Sequence, residues 1–159
     1  MAKLALEPSP FSFGKIIFEP RCLRVKIPGT ISSDNYHDYC HKQVLGWLKA
    51  QARSTLNLEV YNLCQKYGLR YKNVAIKDTR SRWGSCSCQT NLNFNWRLIM
   101  TPPEVLRYVV IHETAHLQEM NHSQRFWALV AQRCPDYDLH KRWLHKNGNE
   151  LLNWDLRFS

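Results

Sequence analysis

The segment His112-Glu113-Thr114-Ala115-His116 sets two imidazoles four residues apart, with a carboxylate beside the first. On a helix, residues four apart differ by about 40° around the axis and about 6 Å along it, so both rings leave one face at a spacing that suits one tetrahedral ion. Glu113, turned about 100° from His112, is poorly placed to join them as a ligand. It is well placed to hydrogen-bond a water on such an ion and take its proton, which is the work of a general base. The segment therefore points to a zinc hydrolase with His112 and His116 as metal ligands and Glu113 as the catalytic group.

A third ligand has to come from outside this pair. Were the helix to continue, His122 would lie about 15 Å beyond His112 and point elsewhere. Asn121, a residue type that tolerates the left-handed conformation, is the expected place for the helix to end, so that His122 swings back to the metal. The spacing matches the long zinc-peptidase motif with a third histidine, with Glu119 where one branch of those enzymes has a turning glycine. Glu150, the only glutamate downstream of His122, is the alternative, as in zincins that draw a ligand from a later helix. Three protein ligands leave a fourth position for water, whereas a closed structural site needs four. Cys86 and Cys88 have no second cysteine pair at finger-like spacing and read as ordinary thiols. His37 and His41 repeat the four-residue spacing without the adjacent acid or an apolar setting. Arg82, Tyr137, His140 and Arg142 are the candidates for stabilising a transition-state oxyanion.

These residues need a scaffold, and the flanking pattern supplies one. Val105, Leu106, Tyr108, Val109, Val110 and Ile111 are apolar all round a helix that starts at Thr101-Pro102-Pro103-Glu104, with Thr101 as cap, and runs from Pro102 to about Met120. Two histidines and a glutamate in such a buried helix need partners, and a divalent ion supplies them. Ahead of it, Leu23, Val25 and Ile27 alternate with Arg24 and Lys26 as a strand ended by Pro28-Gly29. Apolar positions at 36, 40, 44, 48, 52, 56, 60, 63 and 67 mark one long helix, or two joined near Gly46, ending at Gly68. Val74 to Lys77 reads as a short strand. Asn91 to Leu98 reads as a clear one, with Leu92, Phe94, Trp96 and Leu98 toward the core and Asn91, Asn93, Asn95 and Arg97 toward water. Between them the run Arg82 to Cys88 reads as a turn. Further helices are expected after Ser123, with Phe126, Trp127, Val130 and Cys134 inward, and from about Leu139 to Lys146, ending near Gly148.

The run Arg82-Trp83-Gly84-Ser85-Cys86-Ser87, the strand from Asn91, then His112-Glu113-Thr114-Ala115-His116-Leu117, Met120-Asn121-His122-Ser123 and Arg125-Phe126-Trp127 together resemble the YgjP-type branch of the SprT-like zincin metallopeptidases. The likeness covers roughly residues 80–137. It implies a small zincin fold, a zinc site at His112, His116 and His122, and a metal-dependent hydrolase activity. The expected architecture is α+β, a short antiparallel or mixed sheet packed on the active-site helix with further helices around it. One domain is expected over residues 1–159, with a short β-rich segment to residue 33, a helix over 34–68 and a catalytic core over 74–147. In a zincin arrangement the strand from Asn91 would serve as an edge for an extended peptide.

Composition narrows the partners. The chain has 159 residues and a formal charge of +9, which favours acidic partners through its summed field. Lys66, Arg70, Lys72, Lys77, Arg80 and Arg82, interrupted only by Asp78, form the densest basic stretch. A peptide or protein substrate is expected first. A nucleotide cleaved at a phosphoanhydride is the alternative, and a basic nucleic-acid-binding module with structural zinc is a third reading. No run is apolar enough to span a bilayer, and Met1 to Pro10 is too short and broken for a signal-peptide core. A cytoplasmic protein with six reduced cysteines is expected. The oligomeric state is not legible.

Overall fold

Strand alternation and helix periodicity, interleaved along the chain, generate the architecture of the computed structural model, which describes residues 3–9, 15–19 and 22–155. The fold is α+β: two three-stranded sheets and four α-helices among the described residues. Residues 1, 2 and 10 of the segment read above against a signal peptide lie outside the described residues. Two compact units divide the chain, one reaching Leu48 and the other spanning Lys49–Trp154.

In the first unit β1 (Lys3–Ser9), β2 (Lys15–Glu19) and β3 (Cys22–Pro28) form a sheet in the order β1-β3-β2, with β1 parallel and β2 antiparallel to β3. The alternation read for β3 holds: Val25 and Ile27 are buried and pack with Cys40 and Val44. Helix α1 is a single element, Tyr36–Tyr67, uninterrupted at Gly46. It stops where Gly68 takes a φ of +63° and the Leu69 amide donates to the Cys64 carbonyl at 2.9 Å, satisfying a carbonyl that the helix end leaves open.

In the second unit β4 (Asn73–Lys77), β5 (Gly84–Cys86) and β6 (Asn91–Asn95) form a sheet in the order β4-β6-β5. The strand expected from Asn91 is thus central, parallel to β4 and antiparallel to β5, and the edges are β4 and β5, the latter within the run read as a turn. It is also shorter than expected. After Asn95 the chain enters a 3-10 helix, Trp96–Met100, whose start is capped by the Asn95 side chain accepting from the Arg97 amide at 3.0 Å. Trp96 and Leu98 are buried as expected, but Asn95 and Arg97, read as facing water, are buried too. Polar partners far along the chain explain this. Asn95 donates to the Thr79 and Arg82 carbonyls, and Arg97 donates to Asp78 at 2.6 Å and to the Trp154 carbonyl at 3.3 Å while lying over the Trp96 ring.

Asp78 also accepts from Lys49 at 2.8 Å. Burial alone would raise its carboxyl pKa, but the hydrogen bonds from Lys49 and Arg97 hold it well below the usual carboxylate range. Asp78→Asn leaves the Arg97 guanidinium, its side chain 4% exposed, without its counter-charge. Because the Asp78 side chain is 45% exposed and solvent screens the pair, the expected cost is limited to roughly 1–3 kcal/mol. Urea unfolding of the variant measures it. A carboxyl with a depressed folded-state pKa stabilises above its unfolded value of about 3.9, so the two proteins should converge in stability as the pH falls below that value.

Helix α2 is Pro103–Ala115, α3 is Gln124–Arg133 and α4 is Tyr137–Leu152. Thr101 does not cap α2; its hydroxyl donates back to the Leu98 carbonyl at 2.8 Å. Ser123 does cap α3, accepting from the Phe126 amide at 3.3 Å. Phe126 and Val130 are fully buried on the expected face, with Trp127 and Cys134 only partly covered. α4 runs on through Gly148, which is buried against Trp83, where an added Cβ would come within 3.1 Å of the indole Nε1. Among the described residues no helix is long and apolar enough to cross a membrane. All six cysteines are free.

Candidate metal centre

Helix α2 brings His112, Glu113 and His116 to one end of the second unit and stops there. It ends a turn earlier than Asn121: the amides of Gln118 and Glu119 both fold back to the Ala115 carbonyl at 3.0 Å. Asn121 is not left-handed, since Thr90 is the one non-glycine residue with positive φ among the described residues. The tight turn after His116 therefore makes the reversal assigned to Asn121. It returns His122 to the helix, and the ligand atoms of His112, His116 and His122 lie within 4.8 Å of one another. Glu150 is not in that group.

The ring nitrogens fit a metal ion. His116 Nδ1 stands 3.0 Å from the Glu119 carbonyl; as donor there it leaves Nε2 with a free lone pair in the neutral ring. His112 Nε2 and His122 Nε2 stand 3.1 Å apart, close to the roughly 3.4 Å that separates two nitrogens on one tetrahedral zinc with bonds of about 2.0–2.1 Å. His112 Nδ1 is buried with no hydrogen-bond partner among the described residues. Burial, followed by the neighbouring His116 and His122 rings and Lys141, pushes the His112 imidazole down to about 3, and burial also lowers His116. Both rings are thus held neutral, which is the ligand form.

Aromatic packing fixes the three rings. Phe126, fully buried, stacks on His116 at 4.4 Å between centroids and meets His112 and His122 edge-on at 4.9 and 4.8 Å. Trp127 stacks on His122 at 5.8 Å and in turn on Tyr137 at 5.5 Å. Phe126 and Trp127 were legible as core positions of α3, but their place beneath the three histidines was not.

The histidines and Glu113 line an open cavity of about 250 Å³ closed on one side by Gly84 and Cys86 of β5. Glu113 is 6% exposed, and burial raises its carboxyl pKa to about 8 against the opposing pull of Arg82. A Cβ at Gly84 would lie 2.6 Å from both Cγ and Oε1 of Glu113. Gly84 is a site residue that motif reading passed over; a glycine between Trp83 and Ser85, in a run that must approach the helix, was the signal available. Cys86 lines the cavity and its thiol is pushed up to about 11 by burial and by Glu113; Cys88 is exposed. Of the oxyanion candidates, Arg82 lies on a neighbouring cavity, Tyr137 is stacked on Trp127, His140 faces the Tyr108 ring at 6.2 Å and Arg142 donates to the Asp138 carbonyl.

A helix with paired histidines beside a buried carboxylate is the arrangement expected of a metal-dependent hydrolase, and the family comparison agrees. Residues 19–147 match the family model described as YgjP-like, metallopeptidase domain. The chain belongs to that family, and as a metallopeptidase-family member it is a metal-dependent hydrolase that works with a metal cofactor. Among solved structures it is similar to the metallopeptidase zymogen of Methanocaldococcus jannaschii jannalysin, at 21% identity and a TM-score of 0.47, over 57% of this chain and 95% of that one. No curated protein matches the chain.

Proposed function

We propose that the protein is a zinc peptidase in which His112, His116 and His122 hold the ion and Glu113 is the general base, the catalytic core being residues 74–147. The observation that carries this reading is the convergence of three imidazole ligand atoms within 4.8 Å on a cavity that also holds the buried Glu113 carboxyl. Three nitrogen donors favour zinc over harder cations and leave room for water and substrate.

Zinc bound there would lower the pKa of a water toward about 7 and polarise the scissile carbonyl. The chain's own residues handle the protons. The positive charge of an ion on the histidines would offset the burial that raises the Glu113 carboxyl pKa, so that Glu113, held against Gly84, takes a proton at its carboxylate and delivers it to the leaving nitrogen. Its burial keeps bulk water from competing for that proton. The Glu119 carbonyl orients His116, and Phe126 holds all three rings in place, so the ligands need little rearrangement. The edge of the sheet at this cavity is β5, so an extended peptide can add to Gly84–Cys86 as a further strand.

Metal analysis with turnover measurements tests this. Purified protein should carry about one zinc, cleave members of an unstructured peptide library and leave nucleoside triphosphates intact. Removing the metal with a chelator should abolish cleavage and added zinc should restore it. Wild-type protein that takes up no zinc when the metal is supplied would refute the proposal, and cleavage of nucleoside triphosphates in place of peptides would move the same centre to phosphoanhydride chemistry.

A further inference from the structure

The basic stretch that stands out in the sequence has no part in the catalytic step, yet the fold gathers its end. Lys77, at the end of β4, and Arg82, just before β5, line an open cavity of about 310 Å³. Thr79, Ser85 and Asn93 supply hydroxyls and an amide to the same wall, and among the described residues none lining the cavity is acidic. The one acid of the stretch, Asp78, is turned away to Lys49 and Arg97. Lys77 and Arg82 form no ion pair among the described residues and are exposed. Two exposed cations with no ion pair among the described residues, Arg82 feeling only the longer-range pull of the buried Glu113, and set among hydroxyls and amides, make a receptor for an anion, with Arg82 able to grip a carboxylate through paired N–H groups.

The cavity's position says which anion. Gly84 and Ser85 line both this cavity and the one that holds Glu113 and the histidines. β5 is thus the partition between them. Ser85 pairs with Asn93 of β6, and the Asn93 amide donates to the Ser85 hydroxyl at 3.2 Å. Along an extended peptide laid on β5, successive side chains point to opposite sides of the strand, so a residue close to the scissile bond projects away from the metal centre and toward Lys77 and Arg82.

Resting on the peptidase reading, we propose that this cavity is a substrate subsite for a carboxylate, so that the enzyme selects acidic peptides through Lys77 and Arg82. The carboxylate is that of an aspartate or glutamate side chain or of the peptide's C-terminus, and the test separates the two.

Zinc-loaded full-length Glu113→Gln protein binds labelled peptides without cutting them, and fluorescence anisotropy then reads affinity alone. The panel pairs aspartate with asparagine along one short sequence, each with a free or an amidated C-terminus. An acidic member should bind about tenfold tighter than its amide match, and the advantage should shrink as salt is raised. Whether the gain follows the side chain or the C-terminus identifies the carboxylate used. Lys77→Gln with Arg82→Gln should erase the advantage while leaving the affinity of the fully amidated, asparagine-containing peptide unchanged. Equal affinity across the panel, or an acid preference that survives both substitutions, would overturn the subsite. Tighter binding of a single-stranded oligonucleotide, lost in the double variant, would overturn it in favour of a nucleic-acid surface. Wild type that cleaves the library with no acid preference also defeats the subsite and leaves the peptidase standing. Acid-selective binding by a protein that cleaves no peptide defeats the peptidase and leaves the anion receptor.

Discussion

Glu113→Gln should cut peptide turnover by roughly 10²–10⁴-fold while zinc content stays at the wild-type level. The glutamine side chain has the volume of the glutamate, so the close approach of Gly84 to residue 113 can persist, and what is removed is the ability to accept a proton. Residue 113 is 6% exposed and its carboxyl pKa is raised to about 8 by burial. An amide is as easily buried there, and stability should hold or rise slightly. Metal content should not change, because the three histidine ligand atoms form their group without the carboxylate. Turnover close to wild type would remove Glu113 from the chemistry, and a variant emptied of zinc would make it a ligand instead. Steady-state kinetics and metal analysis on one preparation decide between these results.

How the site was legible follows from what each kind of signal encodes. His112, Glu113 and His116 sit within five residues, and a helix's fixed geometry turns that spacing into a shared face without help from the rest of the chain. His122 needed a reversal. The sequence offered Asn121 for it, whereas the chain turns at His116 to Glu119, using backbone amides that any residue supplies. The apolar periods of α1 and α3 translated directly into buried faces, as did Leu92 and Phe94 in β6. Alternation failed at Asn95 and Arg97, because a polar residue is buried whenever its partners are at hand, and Arg97's lie 19 and 57 residues away at Asp78 and Trp154. β5 has only three residues, too few for any period to register. Its place at the sheet edge is fixed by antiparallel pairing with β6, a long-range property.

Gly84→Ala tests that long-range property at the site itself and should lower turnover by about 10²-fold with a modest loss of stability. Gly84 does not have a left-handed φ, so alanine meets no backbone strain, and the added methyl reduces the freedom of the unfolded chain by a modest amount in its favour. The conflict lies with Glu113, whose Cγ and Oε1 would be 2.6 Å from the new Cβ. Cγ lies midway along a side chain that is 6% exposed, so the fold accommodates the methyl only by turning the whole Glu113 side chain and moving its carboxylate, at some cost in stability. A shift of about 1 Å in a catalytic group is enough for a hundredfold loss. The three atoms nearest the new methyl all belong to Glu113 and none to His112, His116 or His122, so zinc content should remain that of wild type and the loss should fall on kcat. Combining Gly84→Ala with Glu113→Gln then discriminates: if alanine acts only by displacing the carboxylate, it should cost almost nothing once the carboxylate is gone. A double variant that loses a further hundredfold would show that Gly84 serves the substrate strand directly, through its backbone at the edge of the sheet.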